Sequence, residues 1–135
     1  MKGTAILAPI PACHLESALE VLKQKPFVLF GSEAWDRFEN TEIGSQVLIY
    51  VSHDQAEPLV KYTGTYEGLV GEQPKMRQLT KDGYRPQSTA GEKWSFFWKL
   101  ANLQKLEVPI QLSDIKLASG KYLDGYPKGP LHVIG

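Results

Sequence analysis

Gln46-Val47-Leu48-Ile49-Tyr50-Val51-Ser52 is the stretch from which the fold is read. It is rich in β-branched and aromatic side chains, with Val47, Ile49 and Val51 on one face and Leu48, Tyr50 and Ser52 on the other. That is the two-residue period of a strand. Gly44 starts a turn before it, and His53-Asp54-Gln55-Ala56-Glu57-Pro58 turns the chain after it. Leu59–Tyr66 then follows as a second, Thr- and Tyr-rich strand, with Gly64 marking a bulge or a close approach. So short a link leaves no room for a crossover helix, which excludes a doubly wound parallel sheet.

Working outward, Thr4 to Ile10 reads as a buried strand ended by Pro9 and Pro11. His14–Lys25 carries Leu15, Leu19 and Leu22 at helical spacing, and Pro26 stops that helix. A β run from Lys25 to Gly31 leads into a short helix, with Ser32 as N-cap and Trp35 and Phe38 on the face turned to the sheet. Downstream, Gly68 and Gly71 bound a brief β segment. The Gly-, Pro-, Gln-, Ser- and Thr-containing stretch 73–93 reads as a long loop. Glu92–Leu100 has bulky groups on both faces and reads as a central strand. Leu106–Ile110 reads as an edge strand, because Pro109 cannot donate to a ladder. Leu112–Leu117 forms a helical turn and Leu131–Ile134 a last strand. The expectation is an α+β fold: a small, mostly antiparallel barrel with short flanking helices, one domain over residues 1–135.

Composition narrows the function. One cysteine, Cys13, rules out an intramolecular disulfide and suits a reducing, cytoplasmic setting, with core or capping duty expected for it. No apolar run approaches the ~20 residues of a membrane span. The net charge of +0 argues against a general nucleic-acid coat. Charge is nonetheless uneven: Lys75, Arg77, Lys81, Arg85 and Lys93 face only Asp82 and Glu92 in their segment. Such a stretch is either a solvated loop or an arm that meets a phosphate backbone.

His14, His53 and His132 lie far apart with no Cys-x-x-Cys or His-x-x-x-His, so no metal site or cofactor is expected. Gly-x-Ser-x-Gly and the phosphate-loop patterns are missing. Aromatic residues dominate what remains, among them Phe30, Trp35, Tyr50, Tyr62, Tyr66, Trp94, Phe96 and Trp98. Core packing accounts for any one of them. Together they could also wall a pocket for a planar ligand, with Ser32, Ser52 and His53 reading its polar edge.

Four segments stand out: Phe30-Gly31-Ser32 with Trp35, the unit from Ile43 to Ser52, Gly64-Thr65-Tyr66-Glu67-Gly68, and Trp94–Leu100 followed by Leu106-Glu107-Val108-Pro109-Ile110-Gln111-Leu112. Together they resemble the PUA-like superfamily, in particular its EVE and YTH branch of modified-base readers. The resemblance spans residues 27–117 and departs from the EVE pattern at Ser45, where an aspartate is usual, and at the first junction, where Phe30 or Trp35 stands for a tryptophan. It implies a non-enzymatic reader of RNA or DNA. Phe30, Ser32, Trp35, Tyr50, Ser52, His53 and Trp94 would form the pocket, and Lys75, Arg77, Lys81 and Arg85 would hold the nucleic-acid backbone. The related ASCH branch implies a small amidohydrolase acting on a nucleoside or amide. Its base would be Lys61 or Lys93, assisted by Tyr66 or Glu67, although its Gly-x-Lys-x-x-Glu-x-Arg motif has no match here. A protein-interaction module, with the aromatics as core, is the third reading.

Overall fold

The protein is described from a computed structural model covering residues 4–52, 58–89, 92–127 and 129–134. In chain order the elements are β1 (Thr4–Pro11), α1 (Ala12–Leu22), β2 (Val28–Ser32), α2 (Trp35–Glu39), β3 (Gln46–Ser52), β4 (Leu59–Val70), α3 (Gln73–Lys81), β5 (Phe96–Gln111) and β6 (Leu131–Ile134). The strands form one six-stranded sheet in the order β2-β5-β4-β3-β1-β6. All neighbours are antiparallel except β1 and β3, which pair in parallel from Ala5↔Gln46 to Pro11↔Ser52. The fold is therefore α+β with a mostly antiparallel sheet. That sheet is open, with β2 and β6 as its end strands.

The alternation along the strands sorts side chains into three apolar clusters. Val47 and Ile49 join Ile6, Phe30, Trp98 and Leu100 on one face, beneath α1 and α2. On the opposite face, Leu48 and Tyr50 join Leu7, Val60 and Val133, covered by Leu112, Ile115 and Leu123. Leu29, Val70 and Phe97 form the third cluster, capped by Met76 of α3. Both faces of the sheet are thus buried, which explains why β3 is apolar at nearly every position.

Several expectations change in detail. Gly68 and Gly71 do not isolate a separate segment: β4 runs through to Val70, with its register against β5 shifting between Tyr66 and Leu69, where Gly68 has φ +111°. Likewise, Leu106–Ile110 continues the Phe96 strand as one long β5. Its first part pairs with β2 through Leu100↔Val28, and only the part beyond that has a free side, where Pro109 sits. Gly64 is a point of close approach. A Cβ there would lie 2.5 Å from Leu100 Cδ1 and 3.0 Å from the Ala101 carbonyl oxygen.

The largest departure concerns residues 73–93. Instead of a long loop the chain forms α3 and then a 3-10 turn at Gln87–Thr89. Pro74 fits the first turn of α3, where its missing N–H is no loss, and Met76 docks the helix on the sheet. In α1 the buried residues are Leu15 and Ala18, while Leu19 is 36% exposed, so the apolar stripe is rotated from the one the leucines alone suggested. Cys13 has neither core nor capping duty: it is exposed, and Pro11 holds the N-cap position. No described helix is long and apolar enough to cross a membrane.

Candidate functional site

The C-terminal half of β1 and the end of β2 belong to distant parts of the sheet, yet both flank one cleft of about 440 Å³. Ala8 to Pro11 form one side and Phe30 to Glu33 the other, with Trp94 and Trp98 between them and Gly129 and Pro130 at the rim. Gly31 decides the shape of this wall. A Cβ on it would fall 2.0 Å from Trp94 Cγ, so the indole lies directly on the glycine backbone. Only glycine permits that approach.

The polar groups of the cleft are held in place by bonds among themselves. Trp94 Nε1 donates to Glu92 Oε1 at 3.1 Å, and Glu92 Oε2 is 4.0 Å from His14 Nε2. His14 Nδ1 is in turn 2.7 Å from Ser88 Oγ. Across the cleft, Glu33 accepts from the Ser95 backbone N–H at 2.8 Å and from its hydroxyl at 2.5 Å. The Ser95 hydroxyl and then its backbone N–H hold the Glu33 carboxyl below its ordinary value, since both bonds favour the anion. Ser32 Oγ accepts from the Ala34 N–H at 3.0 Å, two residues ahead of the N-cap position, which falls to Ala34. That bond does not use the hydroxyl's own proton.

On the other side of Trp94 lies a second cavity, of about 640 Å³, between α3 and β5. Arg77, Lys81, Arg85 and Lys93 line it, with Glu92 as the acidic member and Met76 and Phe97 as apolar floor. Arg85 is only 8% exposed. Its Nη2 donates to the Thr89 carbonyl, and its guanidinium stacks 4.7 Å from the Phe97 ring centre. Burial pushes its pKa down, opposed by the charge of Glu92.

Of the pocket residues inferred from sequence, Phe30, Ser32 and Trp94 meet at the cleft. Trp35 does not join them: it is 42% exposed, stands edge-on to Phe96 and covers Gly71. Tyr50 points to the opposite face of the sheet, stacked 5.5 Å from Tyr126, and burial followed by the neighbouring Tyr126 raises its pKa. Ser52 is buried at the end of β3, opposite Pro11 in register but not among the residues lining the cleft, and His53 lies outside the described residues. Lys75, Arg77 and Lys81 are exposed on α3, whereas Arg85 is buried at the cavity wall rather than carried on an arm. Lys61 and Glu67, on β4, do not line the cleft, and the Tyr66 hydroxyl donates to the Phe38 carbonyl at 2.9 Å within the core. Lys93 is exposed.

Sequence reasoning missed His14, Glu33 and Glu92 as cleft residues and held Trp98 only as one of the aromatics that could wall a pocket. Glu33 could have been found as the polar neighbour of Ser32 at the same junction. The other two come from segments that only the fold brings beside β2. Among the described residues no group of three His, Cys, Asp or Glu side chains could hold a metal ion. The chain matches no family model and no curated protein.

Proposed function

We propose that this chain is a binding module of PUA-like architecture that takes a nucleobase, or a planar group of similar size, into the cleft between β1 and β2. The observation that carries this reading is the Trp94 indole laid on Gly31, a flat aromatic wall set into an otherwise narrow cleft. A cleft of about 440 Å³ is within the range of small-ligand sites. Stacking on an indole contributes about 1–3 kcal/mol per base and tolerates any base, because every base has a π face. Discrimination then falls to the edge. Glu33 and Glu92 present carboxylate oxygens and Ser32 a hydroxyl, a set that favours a base edge rich in N–H donors. Lys75, Arg77 and Lys81, exposed on α3 beyond Trp94, are suited to the phosphate backbone of RNA or DNA.

The test is tryptophan fluorescence on a Trp35→Phe background, titrated with single- and double-stranded oligonucleotides with and without methylated bases, at two salt concentrations. Saturable quenching that depends on the base and vanishes in Trp94→Ala is expected. Affinity unchanged by Trp94→Ala would sink the assignment of the cleft.

A further inference from the structure

Four cations line the cavity beside the cleft, and among the described residues none of Arg77, Lys81, Arg85 and Lys93 forms an ion pair with a carboxylate. Arg85 is the unusual member. The residue is only 8% exposed, and its Nε, itself out of reach of solvent, has no hydrogen-bond partner. One carboxylate, Glu92, also lines the cavity; it accepts from Trp94 Nε1, and its charge acts on Arg85. The cavity therefore sets four cations, one of them buried, against a single acid.

The arrangement also says what kind of anion suits it. Arg77 and Lys81 are one helical turn apart on α3, Arg85 is held against Phe97, and Lys93 enters from the segment leading to β5. All border one cavity, whereas Lys75 stays outside it. A stripe of cations along an open surface suits the spaced single charges of a phosphodiester chain. Convergence on one cavity suits a compact anion with several acceptor oxygens, such as a phosphomonoester carrying roughly −1.5 to −2 charge at neutral pH.

We infer that this cavity binds a terminal phosphate, so that the ligand is a phosphomonoester-bearing nucleotide, either free or at the end of a strand, with its base across Trp94 in the cleft. The position of the base rests on the reading above; the anion cavity does not.

Calorimetric titration of the full chain distinguishes the parts. The ligands are single-stranded hexanucleotides of one sequence with hydroxyl ends or with a 5′- or 3′-monophosphate, the matching nucleoside and nucleoside monophosphate, and inorganic pyrophosphate. The expected result is at least about tenfold tighter binding of one phosphorylated ligand than of its hydroxyl counterpart, as loss of charge-assisted hydrogen bonds implies. Lys93→Gln, at an exposed position outside the proposed backbone contacts, should remove most of that preference, and Arg85→Gln all of it if the variant folds. A preference confined to the nucleoside monophosphate identifies a free nucleotide, and one confined to the hexamer a strand end. If pyrophosphate displaces the phosphorylated ligand while the matching nucleoside does not bind, the base cleft fails and the anion cavity stands. Equal binding of phosphorylated and unphosphorylated ligands, or a preference untouched by Lys93→Gln, overturns the inference.

Discussion

Gly31 and Trp94 act as one unit, and the unit exists because one of them has no side chain. A methyl group on Gly31 cannot coexist with the indole, since its carbon would fall 2.0–2.5 Å from Cγ, Cδ1 and Cδ2. Gly31→Ala should therefore expel Trp94 from its seat while leaving the β2–β5 ladder intact, because alanine is compatible with a strand. The expected signature is red-shifted tryptophan emission together with loss of base-dependent quenching, in a protein whose far-UV circular dichroism is unchanged. An unshifted spectrum would mean that the ring relaxes in place and is not the wall proposed here. The sequence made Trp94 a candidate by residue type and by resemblance. It could not have linked Trp94 to Gly31, which is far away along the chain and meets it only once β2 and β5 pair.

Among the elements, α3 is the one whose existence depends most on its neighbours. It has nine residues, too few to be helical alone in water, and Met76 is its single buried residue. Polar residues at nearly every other position explain why the stretch reads as a loop. The signal that was available is Pro74 at the start, followed by Met76 and Leu79, which both pack against the third cluster. Met76→Ala should destabilise the docked helix by about 2–4 kcal/mol. Amides of residues 76–81 should then exchange much faster in hydrogen-exchange measurements while those of β3 and β4 stay protected, since small units open independently of the core. Equal loss of protection in β3 and β4 would show instead that α3 unfolds only with the whole molecule. Because Arg77 and Lys81 ride on this helix, phosphate binding should weaken in the same variant.

At the scale of the whole molecule, Tyr66 ties β4 to the end of α2 through its bond to the Phe38 carbonyl, in the middle of the aromatic set Phe38, Phe96 and Trp98. Burial pushes its pKa up from 10.0 to about 12. The folded state thus keeps the proton that the unfolded state releases near pH 10.0, so stability is intact below that pH and declines as pH rises towards about 12. Urea titrations between pH 8 and 11.5 should show this decline, and Tyr66→Phe should reduce it, leaving the part due to Tyr50, while costing about 1 kcal/mol at neutral pH. A slope unchanged by Tyr66→Phe would assign it to other groups. Much of this architecture was legible in advance. The period-two stretch 46–52, the short links and the proline on the unpaired side of β5 pointed to a mostly antiparallel α+β sheet, because these are local constraints on backbone geometry and hydrogen bonding; Pro9 and Pro11, expected to end β1, lie within it, opposite Tyr50 and Ser52. The meeting of β1 with the end of β2, the turning of Tyr50 away from the cleft, the burial of Arg85 and the cavity around it were decided only by the tertiary structure. Each depends on which strands become neighbours and which face of the sheet a side chain lands on, and a one-residue shift in register reverses that face.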